Sequence, residues 1–187
     1  MSRKILVLIL CLMALSVAAR PAQPRPMVGF LPLHGDCRSY THVFPLIVCW
    51  QINLVRGLGV VDMGSMMDCA QLDRLSLPRG VGDAVGYSRL ARQTGVNYIV
   101  AGQIQNTGKS HVRVRMIIYS ASNPKHHPEQ IFESAVSDSP TVAARAAEWI
   151  ASELGAPVPP DAEFDTTTIS REALSLIDQS VRLCIGC

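Results

Sequence analysis

The sequence predicts an α/β domain with a mixed sheet of about five strands, ordered β-α-β-α-β-β-β-α, with a C-terminal helix after a Pro-rich linker. Three observations carry this. Short apolar runs alternate with stretches of helical period in the first half, and two long alternating runs form a hairpin in the second. The composition, 48% hydrophobic and 17% charged, excludes a disordered tail, a coiled coil and a collagen-like fibre. A chain of 187 residues suits one domain of roughly 100–150 residues with short appendages.

Residues 1–19 have the three parts of a secretory signal peptide: basic Arg3 and Lys4, an apolar run from Ile5 to Val17, and small Ala18 and Ala19 before Arg20. The apolar run is short of the roughly 20 residues that span a bilayer, so cleavage near Ala19 is expected. Cys11 follows bulky Leu10, which argues against a lipoprotein signal. No later run approaches spanning length, and the expectation is a periplasmic or secreted protein with no stable membrane insertion once the signal is removed. The formal charge of +2 resides in Arg3 and Lys4. The rest is formally neutral, so charge gives no argument for a nucleic-acid partner.

Residues 20–26 hold three prolines and read as an extended tether. Residues 27–33 are apolar, as in a buried strand. Residues 45–55 place apolar side chains at 46, 47, 50, 54 and 55, a helical stripe with Pro45 in its first turn. Gly57 and Gly59 stop that helix, and Val60, Val61 and Asp62 form a second short strand. The next helix is expected at 83–94, with Asp83 as N-cap and Gly95 as stop.

Residues 96–105 and 111–119 are the clearest strands, joined by a turn at 106–109. A further strand is expected at 130–137, and an Ala-rich amphipathic helix at 141–154, ended by Gly155. Helices between the first three strands allow them to run parallel, whereas the meander after them must be antiparallel. The domain thus covers 27–155, and 156–169 is a linker. Residues 170–187 hold a last helix capped by Ser170, with Leu174, Ile177 and Val181 on one face. A lone amphipathic helix cannot bury its own face, so it either docks on the domain or opens a helical repeat.

The segments 28–33, 90–104 and 112–119 together resemble the TolB N-terminal-like domain, related to flagellar FlgO-type and curli-secretion CsgG-type periplasmic modules. Val28-Gly-Phe-Leu-Pro-Leu33 matches the first strand. Leu90-Ala-Arg-Gln-Thr-Gly-Val-Asn-Tyr-Ile-Val-Ala-Gly-Gln-Ile104 stands where the family reads roughly as a helix ending in Leu-Gly, then a Tyr-containing strand ending in Gly before a polar residue. Val112-Arg-Val-Arg-Met-Ile-Ile-Tyr119 matches the hairpin partner. The likeness covers about two thirds of the chain. The first loop, from His34 to Tyr40, differs from the Asn- and Gly-rich segment usual in that family. What the resemblance implies is a non-catalytic protein-interaction or assembly module of the bacterial cell envelope, with envelope proteins as partners and no enzymatic role.

Read by themselves, the residues offer few chemical sites. His111, Arg113 and Arg115 alternate along one strand, and Gln103 and Gln105 along its partner, so all five share one sheet face. This polar face is the candidate binding site for an anionic or peptide partner; the plainer account is a solvated sheet face. Cys37 follows the first strand and Cys69 the second. If those strands are adjacent and parallel, both loops emerge at the same sheet edge, making Cys37 and Cys69 disulfide candidates in an exported protein. Cys49, beside Trp50 in a helix, reads as a buried thiol. The Cys184–Cys187 pair lacks the following helix that a redox centre needs.

The five histidines show no metal-ligand spacing, and no cofactor is expected. Neither Gly-x-Ser-x-Gly nor His-Glu-x-x-His occurs. Gly80, Gly82 and Gly86 fall one residue off a dinucleotide fingerprint, and no strand feeds into them. The alternative function is a small-ligand or nucleotide-binding sensor domain, using loops at the carboxyl edge of the sheet near His34, Asp36 and Asp68.

Overall fold

Two apolar clusters, one on each face of a mixed six-stranded sheet, hold the fold together. The computed structural model describes residues 25–36, 38–108 and 110–157. The expected signal peptide, most of the tether and linker, Cys37, and residues 170–187 with their helix and CxxC pair lie outside the described residues. In chain order the elements are β1 (Met27–Phe30), β2 (His34–Gly35), α1 (Arg38–Asn53), β3 (Gly59–Val61), α2 (Met63–Leu72), α3 (Ala84–Thr94), β4 (Tyr98–Gly108), β5 (His111–Ser120), β6 (Glu129–Ala135), a 3-10 turn (Val136–Asp138) and α4 (Ser139–Glu153).

The sheet order is β3-β1-β4-β5-β6, with β2 added beside β4. Strands β3, β1 and β4 are parallel, as the intervening helices require, and β4-β5-β6 is an antiparallel meander. Side chains alternate across the strands. Val28, Phe30, Val100, Ile104, Val114, Met116 and Ile118 face α1 and α4. Leu31, Ile99, Ala101, Ile117 and Tyr119 face α2 and α3. The architecture is therefore helix layer, sheet, helix layer.

Four expectations are corrected. The first helix begins at Arg38, so Pro45 lies in its interior. A proline there removes the N–H that would bond the Thr41 carbonyl; the Leu33 amide donates to that carbonyl at 2.9 Å instead. Residues 63–72, where no helix is expected, form α2. Asp62 caps it, accepting from the Ser65 amide at 3.0 Å and the Ser65 hydroxyl at 2.6 Å, and Met63, Met66 and Ala70 form its buried stripe. His34 and Gly35, read as loop, pair in parallel with Gln103 and Ile104. Gly35 has φ +152°, and a Cβ there would sit 2.0 Å from the Ile104 carbonyl oxygen, so only glycine fits. Finally, the turn expected at 106–109 is displaced. β4 runs to Gly108 through a bulge at Asn106, whose side chain accepts from the Gly108 amide, and Ser110 takes the positive φ.

The expected capping of the middle helix is present: Asp83 accepts from the Gly86 amide at 2.9 Å, and Gly95 closes the helix with φ 76°. The last strand ends at Ala135, two residues short of the expectation, because the chain enters the 3-10 turn there. Ser139, which opens α4, is fully buried and takes a hydrogen bond from the Tyr40 hydroxyl while donating its own to the Val136 carbonyl.

Candidate functional site

Helices α2 and α3 cover only part of their sheet face. Along β4 that face reads Ile99, Ala101, Gln103, Gln105, and along β5 it reads Tyr119, Ile117, Arg115, Arg113. The register pairs Ile99 with Tyr119 and Ala101 with Ile117, both buried, then Gln103 with Arg115 and Gln105 with Arg113. The change from apolar to polar side chains marks where helix cover stops. Next to it the β5–β6 register sets Arg115 against Ile131 and Arg113 against Glu133.

The uncovered half-face is a shallow trough of about 280 Å³ lined by Gln103, Gln105, Arg113, Arg115, Glu129 and Ile131. Gln103, Gln105, Arg113 and Arg115 thus meet there as the alternation predicts. His111 stands on the same face at the far end of β5, paired with Gly108 and Ala135. Sequence reasoning missed the β6 contribution. Glu133 accepts from Arg113 Nε at 2.6 Å, and Glu129 accepts from both Arg115 Nε, at 3.1 Å, and its terminal guanidinium nitrogen. The alternation of Glu129, Ile131 and Glu133 in the chain is the available signal, but only the strand register places Glu133 opposite Arg113 and Glu129 diagonal to Arg115.

These pairs change the electrostatics. Two arginines and two glutamates cancel, so the trough is neutral and an anionic partner has no net charge to meet. Both pairs are substantially exposed, with side chains 39–60% accessible, so each contributes at most about 1 kcal/mol to stability. Two amides, two guanidinium groups and an exposed Ile131 offer donors and acceptors beside one apolar contact, a set suited to an extended peptide. β6 is also an edge strand, so its outer backbone groups are available for pairing.

A second concavity adjoins the trough. Cα register runs His34, Gln103, Arg115, Ile131 straight across the sheet. On the β1 side of this row lies an apolar cavity of about 130 Å³ between Leu31, Leu33, Met67, Leu77 and Tyr87. The Nε2 of His34 is 3.2 Å from the Tyr87 hydroxyl at its wall. Burial pushes the Tyr87 phenol up to about 12, with Asp83 adding to the effect; it is a neutral hydrogen-bonding group at physiological pH. Of the other residues named for a ligand at this edge, Asp68 lies on α2 six residues after the Asp62 cap, and Asp36 follows β2.

The remaining candidates carry little chemistry. Burial pushes the Cys49 thiol up to about 12, with the Asp62 charge adding to it, so Cys49 is a protonated core group and not an activated nucleophile. Cys69 has an exposed thiol on α2; its proposed partner Cys37 lies outside the described residues. The glycine-rich loop before α3 does not offer a phosphate cradle, because the Asp83 carboxylate already occupies the Gly86 amide. Among the described residues, no group of three or more His, Cys, Asp or Glu could hold a metal ion. Among the same residues, no helix is long and apolar enough to cross a membrane.

No protein-family model matches the sequence, and no curated protein matches it. Solved structures do. The chain is similar to TolB from Acinetobacter baumannii, with a TM-score of 0.49, 15% identity, and coverage of 73% of this chain and 30% of that one. It therefore spans less than a third of the TolB chain it matches. It is also similar to the LpoB C-terminal domain from Escherichia coli, with a TM-score of 0.41, 11% identity, and coverage of 66% and 93%. A lipoprotein from Neisseria meningitidis gives a TM-score of 0.45, 10% identity, and coverage of 70% and 98%.

Proposed function

We propose that this chain is a non-catalytic protein-interaction or assembly module of the bacterial cell envelope, and that it binds an extended segment of an envelope protein on the uncovered half-face beside β6. The observation that carries this reading is the neutral trough of Gln103, Gln105, Arg113, Arg115, Glu129 and Ile131 next to an open strand edge. A peptide laid along β6 would pair with its backbone and place alternate side chains over Ile131 and the arginine–glutamate ladder. The secretory character of residues 1–19 supports an envelope setting for that partner.

The test is site-specific photocrosslinking from Gln105 and Ile131 in the native envelope, with Arg145 on the exposed side of α4 as control. The expected result is a defined adduct at the first two positions that Ile131→Glu with Arg113→Glu abolishes. Equal adducts at all three positions, or none at Gln105 and Ile131, would sink the proposal.

A second reading has its own observation, the His34–Tyr87 hydrogen bond at an apolar cavity of about 130 Å³. That volume suits a small, mostly apolar molecule with one polar group. A ligand-dependent rise in melting temperature that Tyr87→Phe abolishes would support it. Nucleotides fit this reading less well, given the Asp83 carboxylate at the helix terminus.

A further inference from the structure

The two outer strands of the sheet differ. β3 is three residues long, whereas β6 runs for seven and pairs with β5 in unbroken register from Glu129 to Ala135. Natural sheet edges are blunted by a short strand, a bulge, a proline or a lysine; β6 has none of these.

The bonds that flank the β5–β6 ladder fix which backbone groups stay open. The Ile118 amide donates to the Pro128 carbonyl at one end, and the Val136 amide to the Ser110 carbonyl at the other. Bonded pairs recur at every second residue of an antiparallel ladder. Gln130, Phe132 and Ser134 therefore direct their N–H and C=O groups at β5. Glu129, Ile131 and Glu133 direct theirs outward, where no other described residue bonds to them.

The side chains of these same three residues border the trough, so backbone and side-chain recognition fall on one set of positions. Arg113 and Arg115 stand one strand inward, about 5 Å further from the edge. An incoming strand thus meets acid, apolar and acid side chains first. Each glutamate uses one oxygen on its arginine, Oε1 of Glu133 and Oε2 of Glu129. The second oxygen of each bonds to no other described residue.

We infer that the segment bound along β6 reads basic-x-apolar-x-basic, with Lys or Arg opposite each glutamate and an aliphatic side chain opposite Ile131; this rests on the peptide-binding role proposed above. Directly opposed residues share a sheet face, and opposite charges or apolar pairs there stabilise the pairing. The pattern is the same in either direction, so it serves a parallel or an antiparallel partner. A second copy of β6 fits less well, because residues 129–135 contain no cation to oppose either glutamate.

The test titrates the exported chain with the peptide acetyl-Ser-Lys-Thr-Val-Thr-Lys-Ser-amide and with its counterpart carrying Glu in place of both Lys, read by NMR shifts and amide exchange. At saturation the basic peptide should slow exchange of the Ile131 and Glu133 amides about tenfold or more. It should also bind at least about tenfold more tightly than the acidic one, a gap that narrows with added salt. In the variant Glu129→Gln with Glu133→Gln, the two peptides should bind within about threefold of each other. Both substitutions are at exposed side chains, and unchanged exchange along β4 would verify the fold. Equal affinity of the two peptides for the parent chain would overturn the inference, as would unprotected Ile131 and Glu133 amides at millimolar basic peptide. Protection that instead appears without peptide as protein concentration rises would assign the edge to a second copy and overturn it too. Should the peptides fail while photocrosslinks persist at Gln105 and Ile131, only the partner's chemistry falls; loss of both removes the proposed function as well.

Discussion

The ring of Tyr87 on α3 stacks on that of Tyr119 on β5, with centroids 4.1 Å apart and planes 10° apart. The Tyr119 hydroxyl then donates to the Val81 carbonyl in the loop before α3, and the Tyr87 hydroxyl meets His34 on β2. One aromatic pair therefore ties a helix, two strands and a loop together at the border between the covered and uncovered sheet face. Tyr119→Phe keeps the stack and removes the hydrogen bond, and should cost about 0.5–1.5 kcal/mol in urea unfolding. Tyr119→Ala removes both and should cost about 3–5 kcal/mol.

At Gly102 the backbone of β5 leaves no room for a side chain on β4. A Cβ there would lie 2.0 Å from the Arg115 carbonyl oxygen and 3.0 Å from Met116 Cα, both backbone atoms that cannot yield without breaking the ladder. Gly102→Ala should lower stability by more than about 3 kcal/mol. Gly82→Ala, with nothing within 4 Å, should be nearly neutral. Paired thermal melts of the two variants check the contrast.

Gln51 is fully buried on α1, and neither its amide nitrogen nor its carbonyl oxygen has a hydrogen-bond partner among the described residues. Such a group destabilises by roughly 1–3 kcal/mol. Gln51→Met conserves volume and removes both polar atoms, so the variant should be more stable by about 1 kcal/mol or more. A higher urea midpoint at unchanged slope would report this.

Hydrogen bonds from the Ser65 hydroxyl and amide hold the Asp62 carboxyl below the ordinary Asp value of 3.8. With the folded value depressed, its stabilisation is present above the unfolded pKa and is lost as pH falls below about 4. Asp62→Ala should cost about 0.5–2 kcal/mol at neutral pH, whereas Asp62→Asn should retain most of the cap. Both should be less sensitive than the parent to acid in this window, as followed by circular dichroism.

Burial raises Cys49 from 9.0 and Tyr87 from 10.0, each to about 12. Both are neutral acids favoured by the fold, so their contribution is complete below the unfolded values and disappears as pH climbs toward the folded ones. Stability should therefore decline between about pH 9 and 12. Cys49→Ala should flatten the lower part of that decline, once its own packing loss is subtracted at pH 7. Urea midpoints measured across the range give the slope directly.

Local chemistry made several features legible in the chain. Asp83 and Gly95 bracket α3 because a cap and a left-handed stop act through their immediate neighbours. Alternation along 96–119 predicts the hairpin and brings Gln103, Gln105, Arg113 and Arg115 to one face, since side-chain direction in a strand depends only on position. Gly102, which the family resemblance flagged, has its reason in the close approach of β4 to β5. Helix α2 was legible in principle, through Asp62, Ser65 and the Met63, Met66, Ala70 spacing; a methionine-rich decapeptide has too weak a periodicity to stand out beside two glycine-bearing loops. The start of α1 is obscured by Pro45, whose missing hydrogen bond to Thr41 is compensated from Leu33, twelve residues before Pro45 and outside the helix.

By itself the sequence determined the alternation of elements, the parallel first half and antiparallel second half, and which side chains share a face, because each depends on backbone periodicity and on connections too short to permit other arrangements. Only the tertiary structure decided how far α2 and α3 reach across the sheet, and that Glu129 and Glu133 neutralise the arginines. It also decided that the chain after α4 returns beside Gly57, just past the end of α1. Those properties depend on register and packing between segments far apart in the chain, where the energy of each contact is set by which surfaces meet and not by the residues on either side of it.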